Sequence, residues 1–360
     1  MKILIYVGHP AQYFFVRNTI KILESKNHEI KLVIKSKDVL ETLVQSDHHN
    51  YSNILSEGRK TNKSGILWGL IKRDLRLLKI ALKFRPDIFI GSDPSLAHAG
   101  KLLRIPIITV LEDDYEIITA LARLTYPFTS TILVPSVCRV GPWDKKKVGY
   151  NGYMKLAYLH PNYFVNKNEK QNKATKKILI RTSKLNAHHD FGIGGLSLDI
   201  LTEIINTYQN KFDIYISTES EIFESLKNFS LNIEPSEMHT FLSECHLLIS
   251  DSQSMSMEAA MIGIPSVRFS DFTGRISVLD ELEKKYSLTF GFKTNQKKDF
   301  FAKINELLTD NNLTEKFQQR RNKMLEAKID VTKFLVWFIE NYPTSVDIIN
   351  HNPNYQYNFK

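Results

Sequence analysis

Short apolar runs ending in polar turns recur along this chain, and the stretches between them carry apolar residues at helical spacing. The runs fall at 2–7, 29–34, 87–91, 107–110, 131–135, 177–181, 212–217, in the stretch ending at Ile249, and at 264–269. They are continuously apolar rather than alternating, the pattern of parallel strands covered on both faces. A helix is predicted after the turn Gly8-His9-Pro10-Ala11-Gln12, with Phe14, Phe15, Ile20 and Leu23 inward. A longer one is predicted over 64–84, where Ile66, Leu70, Ile71, Leu75, Leu78 and Leu82 keep the rhythm until Arg85-Pro86 ends it. Strands alternating with helices predict an α/β chain of parallel sheets. Gly149-Tyr150-Asn151-Gly152-Tyr153 reads as a hinge and 166–176 as a polar linker. The expected division is therefore 1–155, 156–330, and a terminal segment 331–360 whose helix crosses back to the first domain before a frayed tail.

One stretch, 248–265, organises the rest. Its apolar run enters Ser250-Asp251-Ser252-Gln253-Ser254, continues as a helix through Glu258-Ala259-Ala260-Met261, and stops at Gly263 before Ile264-Pro265 opens another strand. Such a turn presents backbone N–H groups and the Ser252 and Ser254 hydroxyls at a helix N-terminus, a ready site for phosphate. Glu258, one to two turns in, offers a carboxylate to ribose hydroxyls. The bland alternative is an ordinary capped helix. Ser92-Asp93, followed by a helix and Ile105-Pro106, repeats the same grammar in the first half and argues for two similarly built domains.

Other polar groups stand where strands end, at the edge that faces ligand in parallel sheets. His9, Asp93 and Glu112, the last in the acidic run Glu112-Asp113-Asp114, are candidates for proton transfer. After the 177–181 strand come Arg181, Ser183, His188, His189 and Gly192-Ile193-Gly194-Gly195, where cationic donors and glycines suit a diphosphate. Ser217 ends the next strand, and Met238-His239 begins a helix.

The spacing of Asp251-Ser252, Glu258-Ala259, Gly263-x-Pro265 and Asp271-x-x-x-Arg275 resembles the nucleotide-sugar half of UDP-N-acetylglucosamine 2-epimerases and the donor domain of GT-B glycosyltransferases. Asp251-Ser252-Gln253-Ser254-Met255 and Phe272-Thr273-Gly274-Arg275-Ile276-Ser277 are similar to the marks of a prokaryotic family of that superfamily known as a domain of unknown function. The resemblance runs over about residues 1–330. It implies two Rossmann-type domains facing across a cleft, with the donor nucleotide on the C-terminal one. The donor would be held by Arg181, Ser183, His188 or His189, Ser217, Ser252, Gln253, Ser254, Glu258 and Arg275, with groups at Met238 and His239 framing the base. It places Asp93 and Glu112 roughly where the epimerases keep two catalytic acids. Their third acid has no counterpart in 118–124 (Ile-Thr-Ala-Leu-Ala-Arg-Leu), a departure that tells against epimerisation.

The 360 residues suffice for two such domains, and 42% hydrophobic residues against 24% charged exclude a disordered chain. A net charge of +9 suits anionic ligands, while no nucleic-acid-binding module is legible. The 64–84 helix carries Lys72, Arg73, Arg76, Lys79 and Lys83, either a solvated face or a peripheral contact with anionic membrane. No apolar run approaches the roughly 18 residues of a membrane span. Met1 to Val7 reads as a strand rather than a signal peptide. Two cysteines without metal-ligand spacing, Cys138 and Cys245, fit a reducing cytoplasm.

The first functional reading is a metal-independent GT-B glycosyltransferase without cofactor. It would use a nucleotide-sugar donor, UDP-linked by preference, and a glycan or lipid-linked acceptor, in cell-surface polysaccharide synthesis. Epimerisation of a nucleotide sugar by Asp93 and Glu112 is the second reading, and non-catalytic binding of a nucleotide sugar the third.

Overall fold

A computed structural model describes residues 1–35, 39–54, 63–165, 176–182, 194–218 and 221–360. In the first half, β1 (Lys2–Val7), α1 (Pro10–Ser25), β2 (Glu29–Ile34), α2 (Leu40–Ser46), β3 (Tyr51–Asn53), α3 (Lys63–Phe84), β4 (Ile88–Ile90) and α4 (Pro94–Leu103) follow in order. Then come β5 (Ile107–Val110), α5 (Thr119–Thr125), β6 (Thr131–Pro135), β7 (Lys147–Tyr150) and α6 (Leu156–Leu159). The second half runs β8 (Lys177–Thr182), α7 (Leu198–Tyr208), β9 (Asp213–Thr218), α8 (Met238–Ser243), β10 (Leu247–Ser250), α9 (Gln253–Ile262), β11 (Ser266–Phe269), α10 (Ser277–Lys284) and β12 (Thr289–Phe292). Four helices close the chain: α11 (Lys297–Thr309), α12 (Leu313–Ala327), α13 (Val331–Glu340) and α14 (Thr344–His351).

Among the described residues the strands form two sheets, ordered β3-β2-β1-β4-β5-β6-β7 and β12-β11-β10-β8-β9. Every pairing is parallel. The fold is α/β and GT-B-like, built of two Rossmann-type units. One unit comprises Met1–Tyr158 with Lys328–Lys360, the other Leu159–Ala327.

Local signals explain the elements. His9 and Asp93 cap α1 and α4, each followed by a proline whose fixed φ suits a first helical turn. Gly263, at φ +83°, takes the left-handed conformation that ends α9. Gly91, at φ +151°, turns the chain so close to β1 that a Cβ there would stand 2.7 Å from the Tyr6 carbonyl.

Two expectations change. The stretch read as a hinge begins with β7, because Lys147 to Tyr150 pair with Ile132 to Pro135 of β6 and bury Val148 and Tyr150. Between β6 and β7, Gly141–Lys146 forms a 3₁₀ helix, fastened where Lys146 Nζ donates to three carbonyls of 126–129. The tail read as frayed is folded. Pro353–Phe359 forms a 3₁₀ helix, Trp337 packs on the rings of Tyr355 and Phe359, and the Asp330 N–H donates to the Phe359 carbonyl.

Candidate functional site

In doubly wound sheets, ligands bind where the strand order reverses, because neighbouring loops there leave in opposite directions and open a crevice. In the Leu159–Ala327 unit the reversal lies between β8 and β10. Arg181 and Ser250 are register partners at the ends of those strands. The Ser250 hydroxyl donates to the Arg181 carbonyl (2.9 Å) and accepts the Ser252 N–H (2.8 Å), which locks the turn. Ser252 then caps α9, its hydroxyl accepting the Met255 N–H at 3.4 Å. Helix geometry leaves the Gln253 and Ser254 N–H groups without an intrahelical acceptor at this positive end. The Arg181 guanidinium donates to Ser217 (2.7 Å), its register partner near the end of β9 next door. Arg181, Ser217, Ser252, Gln253 and Ser254 therefore all stand at one end of β8, β9 and β10.

The side chain of Gln253 works inward. Its amide nitrogen donates to the Asp251 carbonyl (3.1 Å), and its oxygen accepts from Arg268 (3.0 Å). Arg268 is 1% exposed and also holds Glu283 at 2.9 Å. Burial pulls its pKa down, and the charges of Glu283 and Asp280 oppose this. Gln253 thus ties the cap to the buried Arg268 and its half-buried partner Glu283, leaving its backbone N–H as the group it presents.

Glu258 is 6% exposed and its carboxylate lies 3.5 Å from His239 Nε2, so α8 and α9 bring an acid and an imidazole together. Met238 opens α8. Arg275 is exposed on the connection from β11 to α10, its guanidinium over the Phe272 ring at 5.0 Å. Ser183, His188 and His189 lie outside the described residues. Asp271, which the sequence offered only as part of the Asp271-x-x-x-Arg275 spacing and with no role of its own, fastens the loops here. It accepts from the Gly194 N–H (2.9 Å), the Thr294 N–H (3.0 Å) and the Thr294 hydroxyl (2.7 Å). Burial alone would raise its pKa; these hydrogen bonds outweigh that and lower it. Gly195 approaches Asp251 so closely that a Cβ would stand 2.9 Å from its carboxylate.

The other unit reverses between β1 and β4. The Gly8 N–H donates to the Gln12 side chain, which donates on to Ser92, both at 2.8 Å. His9 is exposed at the cap of α1, where Nδ1 accepts the Ala11 N–H at 3.2 Å. Asp93 caps α4 through the Ser95 N–H (2.9 Å) and lies 3.5 Å from Arg73. Burial, then the nearby Asp93 charge, push the Tyr6 hydroxyl pKa up. His9 and Asp93 thus stand at adjacent strand ends.

Glu112 sits one strand further out, after β5, and is turned inward. One oxygen accepts the Met154 N–H (2.6 Å) and the other lies 3.4 Å from Lys155 Nζ. Burial raises its pKa, opposed by the Lys155 charge. Asp113 is raised by burial too, while Asp114, fully buried, accepts the Arg139 N–H (2.8 Å). The sequence reading missed Lys155. Its signal was a lysine inside the apolar run Tyr153-Met154-Lys155-Leu156-Ala157, where a charge needs a partner.

Residues 1–324 match a family described as "Protein of unknown function (DUF354)". Among curated proteins no match is found. The chain shares its fold with the UDP co-structure of S. aureus MnaA, at 16% identity and a TM-score of 0.69, covering 96% of this chain and 97% of that one. UDP-GlcNAc 2-epimerase from Neisseria meningitidis bound to UDP-GlcNAc gives 16% and 0.67, covering 94% and 99%. The Streptomyces sp. SF2575 glycosyltransferase SsfS6 complexed with thymidine diphosphate gives 14% and 0.59, also covering 94% and 99%.

Proposed function

The chain belongs to the family described as protein of unknown function (DUF354), and we propose that it is a metal-independent GT-B glycosyltransferase. It moves a sugar from a nucleoside-diphosphate donor, UDP-linked by preference, to the hydroxyl of a glycan or lipid-linked acceptor in cell-surface glycan synthesis. One observation carries the reading: the Ser250–Ser252 turn sets the positive end of α9 beside Arg181 at the β8/β10 reversal. That combination suits a diphosphate. The Glu258 carboxylate, steadied by His239, receives the ribose hydroxyls.

In the transfer step, His9 or Asp93 takes the acceptor hydroxyl proton, with Glu112 as the further candidate. The acceptor oxygen bonds to the anomeric carbon as the bond from that carbon to the diphosphate breaks. Arg181 and the α9 N–H groups receive the charge on the departing nucleotide. The inward engagement of Glu112 with Lys155 and the acid-free 118–124 segment support transfer over epimerisation.

Epimerisation stands second, supported by the fold that the chain shares with UDP-GlcNAc 2-epimerase from Neisseria meningitidis. The test is incubation of purified protein with UDP-sugars, with and without hydroxyl acceptors. Acceptor-dependent UDP release is expected. Conversion to a new UDP-sugar without acceptor would establish epimerisation, and tight binding without turnover a binding protein.

A further inference from the structure

The outer face of α3 is divided lengthwise. At about 100° per residue, Ile71, Leu82, Leu75 and Trp68 occupy one arc of about 60°, and Lys79, Lys72, Lys83 and Arg76 the next arc of about 60°. The apolar arc lies open: Trp68 is 64% exposed, Leu75 62% and Leu82 58%. The opposite side of the helix buries Leu77 and Ala81 in the core with Leu4 and Phe89, so the open arc is not what holds the helix down.

The apolar arc continues beyond α3. Both α3 and α4 run antiparallel to the strands they join, hence parallel to each other. Asp74 meets His98 at 3.0 Å, so Leu102, one turn past His98 and 69% exposed, stands on the Leu75 to Leu82 side. His98 carries the surface onward, meeting the Leu124 carbonyl at 3.1 Å and the Phe128 ring at 5.0 Å. Leu124 and Phe128 are exposed as well. The sole acid within the α3 sequence, Asp74, is the one held by His98.

We propose that this face seats on an anionic lipid surface. Trp68, Leu75, Leu82 and Leu102 enter the boundary between headgroups and acyl chains, and Lys72, Lys79 and Lys83 lie against lipid phosphates. A wide apolar strip with an indole, bordered along one side by lysines and carrying no unengaged acid, is the surface of an interfacial helix. Its charge favours phosphate-bearing lipid over a neutral apolar partner. Contact is peripheral: among the described residues no helix is long and apolar enough to cross a membrane. The inference is independent of what the sheets' reversal points bind.

The test is co-sedimentation of the full chain with vesicles of equal parts phosphatidylcholine and phosphatidylglycerol, against phosphatidylcholine alone, at low and high salt. The wild type should bind the anionic vesicles and release with salt. Lys72→Glu/Lys79→Glu should weaken partitioning roughly 30-fold or more, and Leu75→Glu/Leu82→Glu by a similar factor. All four side chains are exposed, so both variants should keep the wild-type circular dichroism and unfolding temperature. Failure of the wild type to bind, equal binding to neutral vesicles, or indifference to both variants would overturn the proposal. So would a wild-type dimer that Leu75→Glu/Leu82→Glu splits without any vesicle binding, which would mean that a second copy covers the face.

Discussion

At the scale of single residues, Glu258 and Lys155 pose different questions. Glu258→Gln keeps the shape of the side chain and removes its charge. UDP binding should weaken by about 1.5–3 kcal/mol, the range for hydrogen bonds to charged groups. Ser252→Ala should cost less, since the backbone N–H groups remain. Calorimetric titration reads both, and unchanged affinity in Glu258→Gln with the fold intact would return the stretch to a plain capped helix. Lys155→Met strands the Glu112 carboxylate and should destabilise the protein by about 3–5 kcal/mol. Adding Glu112→Gln should recover much of that loss in urea unfolding. A Lys155→Met protein as stable as the wild type would show that Glu112 does not depend on its partner. His246 lies flat against Phe212, with rings 6.4 Å apart and 17° from coplanar, and burial, reinforced by the Lys176 charge, lowers its pKa to about 4. A histidine depressed below its unfolded value near 6.5 contributes stability that is complete above pH ~6.5 and is lost as pH falls towards 4. His246→Phe should therefore lose less thermal stability than the wild type between pH 7 and pH 4. A parallel decline in both would mean the ring is not held neutral.

At the scale of elements, the strand–turn–helix units were legible because their signals are local. Asp93 and Ser252 are caps, Gly263 is a stop, and the strands are continuous apolar runs. What escaped was assembled across the chain. Lys155 meets Glu112 from another segment, and Asp271 fastens Gly194 and Thr294, a pairing no spacing rule announces. β7 was hidden because a short strand containing glycine also reads as a hinge, and the final turn because ring contacts with Trp337 are tertiary. The α9 terminus has a consequence for chemistry. With Arg181 and helix N–H groups to balance the phosphates, UDP binding and turnover should survive EDTA. Full loss restored by manganese or magnesium would overturn that assignment.

At the scale of the whole molecule, the first unit is assembled from both ends of the chain. Helix α13 packs on α1, Thr332 donates to the Ala157 carbonyl at 2.7 Å, and Phe334 lies 6.0 Å from the Tyr150 ring. Ending the chain at Ala327 should strip this cover from the first unit and leave the second intact. Calorimetry should then show one transition weakened or lost and another kept, whereas two unchanged transitions would make the closing helices dispensable. The same arrangement bears on the order of events at the ribosome. β1 to β7 emerge early, but the helix that shields α1 follows only after all of Leu159–Ala327 has been made. At about 5–20 residues per second, that delay is on the order of ten seconds or more. Throughout it the nascent first unit shows an uncovered apolar seam to chaperones and to neighbouring nascent chains, while the second unit, continuous in sequence, has everything it needs to finish first.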